Sequence, residues 1–289
     1  MLRTKSIPMS LWWFRLPINP SLLLCLLWIV AILAVSPVST VHSAPKRVVS
    51  LNLCADELIL ALAEPDQIAS LSWLSQDPEM TWDAAQAAGY PANRGGVEEI
   101  LQYQPDLVLS GRYTTVLTQN LLRELGVPVL QLDLPQNLTQ ALQQIARVGE
   151  ALVQQQRAEQ LQQKIQQAAK QINLSGRSVV VYYPNGFTTG ADSLVDSVLT
   201  AAGLTNVAAD SGVGAFSPLT IEQLLLAQPD YLIVPQQYSQ LPSLADQLLA
   251  HPALHRRFEA TQRLTVPTQA WSCGTGHLVQ AFALLDRLR

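Results

Sequence analysis

The chain has 289 residues, 48% of them apolar and 14% charged, with a net charge of −4. That length can bury a substantial core in one large or two medium domains. The acidic balance argues against a nucleic-acid binder, and three cysteines are too few for a disulfide scaffold.

The first 43 residues read as a secretory leader. Arg3, Lys5 and Arg15 precede an apolar run from Leu22 to Val35, and small and polar residues continue to Ala44. Cleavage is expected after Ser43, with Val41 and Ser43 in the small-residue positions; an uncleaved N-terminal anchor is the other reading. Leu24 precedes Cys25, where a lipoprotein signal needs a small residue. A periplasmic location is therefore expected. Three of the 18 basic residues and none of the 22 acidic ones leave with this segment, so the mature chain carries a net charge of −7.

In chain order, Arg47–Asn52 reads as a strand, 56–63 as a helix and 68–73 as a second strand. An irregular stretch from 76 to 93 follows. A helix near 97–103, a strand at 106–110, a helix at 115–125 closed by Gly126 and a strand at 127–133 complete the first half. From 138 to 172 the apolar spacing predicts one long helix, with Asn137 and Gln140 as a capping-box-like start. It would span about 50 Å as a rigid spine. The second half restarts with a strand at 178–183 and a helix at 193–202. A helix at 244–249, a strand at 264–268 and a last helix at 277–288 end the chain. Strands alternating with helices predict an α/β fold with mostly parallel sheets. The expected organisation is a leader (1–43), an N-terminal lobe (44–135), a connecting helix (136–175) and a C-terminal lobe (176–289).

The chain repeats itself once. Val97-Glu98-Glu99-Ile100-Leu101 with Gln104-Pro105-Asp106-Leu107-Val108-Leu109 is echoed by Ile221-Glu222-Gln223-Leu224-Leu225 with Gln228-Pro229-Asp230-Tyr231-Leu232-Ile233, at an offset of 124 residues. A solenoid repeats at shorter periods, so one recurrence implies two similar lobes with a cleft between them. Glu98 and Glu222 open the repeated helices, where a carboxylate complements the helix dipole. On related lobes they also form two matched acids for a symmetric basic partner.

No nucleophile elbow or complete dinucleotide fingerprint occurs, and Gly274-Thr275-Gly276 reads as a tight turn. An enzyme is not expected. Trp73, Tyr113, Phe187, Phe216 and Trp271 lie in loops at the expected carboxyl ends of strands, where open parallel sheets bind ligands. His251 and His255 read as surface residues. Cys54, Cys273 and His277 leave three readings open: a disulfide with an unrelated histidine, free thiols, or a soft-metal or haem site.

Arg47-Val48-Val49-Ser50-Leu51 followed by Asp56-Glu57-Leu58, then Gln104-Pro105-Asp106-Leu107-Val108, Phe187-Thr188-Thr189-Gly190, Trp271 and the two glutamates form an ordered set. With them the chain resembles the periplasmic solute-binding proteins of ABC importers for cobalamin and ferric siderophores, over nearly all of the mature region. The resemblance implies two Rossmann-like lobes joined by one long α-helix, with a corrinoid or ferric siderophore as cargo rather than cofactor. It implies ligand contacts from Phe187, Phe216 and Trp271, with Trp73, Tyr113 and His277 in corresponding loops. It also implies a monomer that docks on a dimeric ABC permease through Glu98 and Glu222. Gly111 departs from the pattern, standing where cobalamin binders can carry a tryptophan, and His277 stands where a basic residue is often seen.

Overall fold

The computed structural model describes residues 43–236 and 244–289; the expected leader, apart from Ser43, lies outside them. Among the described residues the strands are β1 (Val48–Ser50), β2 (Ile68–Ser72), β3 (Ala92–Asn93), β4 (Leu107–Gly111), β5 (Val129–Leu132), β6 (Ser178–Val181), β7 (Phe187–Thr188), β8 (Thr205–Asn206), β9 (Ser217–Pro218), β10 (Tyr231–Pro235) and β11 (Arg263–Val266). The helices are α1 (Leu53–Leu62), α2 (Ala84–Ala87), α3 (Val97–Gln102), α4 (Val116–Glu124), α5 (Leu138–Ala151), α6 (Gln155–Gln171), α7 (Leu194–Ala201), α8 (Val207–Asp210), α9 (Ile221–Ala227), α10 (Pro252–Arg257) and α11 (Leu278–Leu285).

Two parallel sheets form the lobes. The first has the order β3-β2-β1-β4-β5 and the second β11-β10-β6-β8. Both faces of each sheet are buried, which is why the strands read as apolar runs. Val48 faces one core and Val49 the other; Val179 and Val181 face one and Val180 the other. The inward faces of both sheets share a single apolar core with α1, α5, α6, α7 and α11.

The repeated phrase has a structural purpose in both lobes. The Asp106 carboxylate accepts the backbone N–H groups of Lys46 and Arg47, at 2.8 and 2.9 Å, and so fixes the entry to β1. The Asp230 carboxylate accepts the N–H and hydroxyl of Ser178, at 2.7 and 2.8 Å, and fixes the entry to β6. The backbone amide of Ser178 leads the causes that hold the Asp230 carboxyl below its ordinary pKa. Gln104 and Gln228 before the two prolines both adopt left-handed backbone, with φ of 49° and 47°. In each lobe the chain therefore turns out of the helix at the same place and enters the next strand alike.

The single helix expected over 138–172 is corrected to two. α5 ends in a Schellman motif: Gln154 N–H donates to the Gly149 carbonyl and Val153 N–H to the Glu150 carbonyl. Val153 takes the left-handed position with φ 58°. That position usually carries glycine, so the break left no mark in the composition. α5 and α6 pack against each other as a hairpin, with Gln162 Nε2 donating to the Leu142 carbonyl at 2.8 Å. α6 is the part that spans the lobes. At its start Arg157 bonds Ala63 and Glu64 of the first lobe, and at its end the Gln171 carbonyl accepts from Arg289 of the second. Its 17 residues cover about 25 Å.

A β-branched residue in left-handed backbone is strained. Val153→Gly is expected to raise stability by about 0.5–1 kcal/mol, the relief of that strain less the chain entropy glycine adds. Urea denaturation of the two proteins checks it; a loss of stability would show that the Val153 side chain contributes packing that outweighs the strain.

Candidate functional site

The loops after β1 and β2 meet the loop after β11, so the carboxyl ends of the two sheets face each other. This is where parallel sheets place ligands. Cys54, in the first turn of α1, is joined to Cys273 by a disulfide with a Cα–Cα distance of 5.1 Å. The bond consumes both thiols and corrects the soft-metal reading of Cys54, Cys273 and His277. Among the described residues no cluster of His, Cys, Asp and Glu is arranged to hold a metal ion.

Beside the disulfide runs a buried polar seam. Glu57 of α1 accepts a hydrogen bond from Thr81 Oγ1 at 3.1 Å and, across the lobes, from Thr275 Oγ1 at 2.8 Å. His277 is only 7% exposed. Its Nδ1 lies 3.5 Å from Glu57 Oε2 and its Nε2 3.2 Å from Asp83 Oδ2. The Trp82 ring meets the imidazole edge-on at 5.1 Å. Burial alone would lower the pKa of His277; the Asp83 and Glu57 carboxylates outweigh it and raise the value to about 10. His277 is therefore a cationic bridge between lobes, where the sequence reading expected a ligand contact. A depression of about 520 Å³ lies alongside, lined by Trp82, Pro267, Gln280, Leu284 and Arg287 among others. Within the first lobe, Asp56 accepts from the backbone and hydroxyl of Ser72, and burial pushes its carboxyl up to about 7.

The expected aromatic residues divide into two groups. Phe187 and Phe216 stack in parallel in the second lobe, with centroids 4.8 Å apart and planes 6° apart. The antiparallel pairing of β7 with β9 brings them together, and Phe216 remains 60% exposed. Tyr183 adds a tilted contact to Phe216 at 5.9 Å. In the first lobe, Trp73 follows β2 and lies under the Arg94 guanidinium at 5.5 Å, half exposed. Tyr113 follows β4 and is 81% exposed. Trp271 differs from these four: it is 2% exposed and belongs to the shared core. Its indole backs the site and offers no open ring face.

Tyr183 escaped the sequence reading. Burial pushes its hydroxyl up to about 12. It stays protonated at neutral pH and extends the aromatic stack through its contact with Phe216. Its position two residues beyond β6 was the available signal.

Gly111 also has a local explanation. A Cβ there would fall 1.7 Å from Nδ2 of Asn52. Asn52 is the N-cap of α1, accepting the Ala55 N–H at 2.8 Å. The glycine leaves room for the cap that sets the helix carrying Cys54 and Glu57. A tryptophan at this position would displace that cap.

Glu98 and Glu222 are exposed in the first turns of α3 and α9. α9 has the full capping box of Thr220 and Gln223, whereas α3 starts at Gly96 without a side-chain cap. The Glu222 carboxyl is held below its ordinary pKa, first by its own backbone N–H and then by Thr220.

The family model for the periplasmic binding proteins matches residues 48–266, which takes in both sheets. The chain belongs to that family. Its relatives include a cobalamin-binding protein of Halobacterium salinarum, 24% identical over 229 residues, covering 76% of this chain and 62% of the relative. The chain thus spans somewhat less than two thirds of that relative's length. A vitamin B12-binding protein of Yersinia pestis is 25% identical, covering 74% of this chain and 78% of its own. Among solved structures, the chain is similar to the periplasmic heme-binding protein RhuT from Roseiflexus in its apo form, at 26% identity and a TM-score of 0.67, covering 84% of this chain and 98% of the other. The periplasmic vitamin B12-binding protein BtuF of Vibrio cholerae shares the fold at 20% identity, with a TM-score of 0.63 and coverage of 85% and 96%. The family fold is the two-lobed arrangement described above.

The seam gives stability a defined pH dependence. His277 titrates at about 6.5 when unfolded and about 10 when folded. Its stabilising contribution is complete below about 6.5 and is lost as pH rises toward about 10. The melting-temperature difference between the wild type and His277→Gln should be largest near pH 6 and shrink toward pH 10. A constant difference across that range would contradict the ion-pair assignment.

Proposed function

We propose that this protein captures a corrinoid in the cleft between its lobes and delivers it to the membrane permease of an ABC importer. The observation that carries the reading is the open aromatic face formed by Phe216 stacked on Phe187, with Trp73 and Tyr113 exposed after β2 and β4 of the other sheet. Exposed aromatic rings cost free energy in water and are recovered on contact with a broad apolar macrocycle. The halobacterial cobalamin-binding protein and the Yersinia vitamin B12-binding protein, as relatives, support cobalamin or a close analogue. Haem is the second reading, favoured by the likeness to RhuT, and a ferric siderophore is the third class of metal chelate.

Delivery would rest on Glu98 and Glu222. They are exposed at the heads of equivalent helices of the two lobes, which offers two like acids to basic residues of a two-fold permease. The second-lobe acid is pre-set by its capping box.

Isothermal titration of the mature protein with cobinamide, cobalamin, haem and several ferric siderophores tests the cargo. Corrinoid binding is expected, weakened about tenfold by Phe216→Ala, in line with ~1.4 kcal/mol for one stacked ring. Absence of corrinoid binding alongside tight haem binding would move the assignment to haem; absence of both would reject the chelate class. For the permease, Glu98→Ala with Glu222→Ala should abolish transport while leaving cargo affinity unchanged. Unchanged uptake in the double variant would remove the docking role.

A further inference from the structure

We infer that the disulfide and the ionic seam act together as a two-layer strap that fixes the separation of the lobes at the floor of the cleft. The inference rests on the reading of that cleft as the ligand site only for its functional meaning; the strap itself is argued from contacts. The turn from Cys273 to His277 belongs to the second lobe yet makes several contacts with the first. Cys273 is bonded to Cys54, and Thr275 and His277 grip Glu57. His277 continues to Asp83. Gln269 Nε2 reaches the Glu79 carbonyl at 2.8 Å. On its other side Gly274, with φ 67°, leaves no space for a Cβ against Pro135, Ala141 and Leu194.

Two features make this a strap and not one more packing contact. First, the connections are redundant. A covalent bond and the Glu57 carboxylate, which meets both Thr275 and His277, join the same two elements, α1 and the turn before α11. Second, the polar layer is buried. Glu57, Thr81, Thr275 and His277 are all buried, so separating the lobes here would expose an imidazolium and strip a carboxylate of its partners. Removing one member of such a buried pair leaves the other charge uncompensated. The shared core and α6 join the lobes away from the ligand; the strap adds a constraint close to it. The aromatic faces on the two lobes are then held at one spacing before any ligand arrives, and binding does not have to order them. Cys54, Glu57, Asp83 and His277 are thus positioning residues for the cleft.

Interlobe distances measured without ligand test this directly. Spin labels are attached through ketone-bearing residues placed at the exposed positions Asn120 and Ser211, one in each lobe. The wild type is expected to give a single narrow distribution by electron–electron double resonance. Cys54→Ser with Cys273→Ser should stay close to it, because the ionic layer persists. Adding His277→Gln should broaden the distribution at least about twofold. An unchanged width in the triple variant would overturn the inference. Broadening in the cysteine variant alone would overturn the two-layer assignment by placing the whole constraint in the disulfide. If circular dichroism shows the triple variant unfolded, His277→Gln with the disulfide reduced by a phosphine carries the same test, with the same reading of widths. Because no ligand is present, a protein that binds no chelate can still pass, and one that binds corrinoid with unchanged widths rejects only the strap.

Discussion

The turn between Trp271 and His277 must satisfy both lobes at once, and much of the surrounding sequence follows from that demand. Gly274 is needed because the turn lies against Pro135, Ala141 and Leu194. Trp271 is buried because it leads the chain into this turn through the shared core. Cys273, Thr275 and His277 then alternate as covalent, hydrogen-bonding and ionic partners to α1. A disulfide closing so long a loop typically contributes about 2–4 kcal/mol by restricting the unfolded chain. The ionic layer contributes geometry as much as stability, since a buried cation must keep its carboxylates close.

The first lobe is built to meet this turn. Asn52 caps α1 and thereby aims Cys54 and Glu57, and Gly111 on the neighbouring strand gives the cap room. Asp106 holds the entry to β1, the strand that leads into that cap. Its counterpart Asp230 does the same for β6, which leads to Tyr183 and the Phe187–Phe216 stack. The duplicated phrase therefore reaches the cleft twice, through the seam in one lobe and through the aromatic face in the other.

What could be read in the sequence was whatever depended on short-range pattern. Alternating strands and helices gave the α/β architecture, and the repeat implied two lobes. Phe187 and Phe216 were expected in loops after strands, whereas Phe187 opens β7 and Phe216 stands just before β9, because the short antiparallel pair they flank leaves no alternating pattern to read. The break at Val153 was illegible because a valine stands where glycine is usual, and the apolar spacing continues across it. The burial of Trp271 and His277 was illegible for another reason. Both follow β11, but their burial depends on packing that includes α1 and the 79–83 loop, some 200 residues away in sequence. The choice among disulfide, free thiol and metal site for Cys54 and Cys273 likewise required the distance between two lobes. Gly111 was legible as a departure and not as a cause, since its reason is the side chain of Asn52.

Whether a planar chelate sits on the aromatic face between lobes already set at the right spacing is tested most directly by a crystal structure of the mature protein with cobinamide. The corrin ring is expected against the open face of Phe216, with Trp73 and Tyr113 on its other side and the Cys54–Cys273 region unchanged from the ligand-free form. Corrinoid density away from these rings, or binding that requires the disulfide turn and α1 to separate, would contradict it.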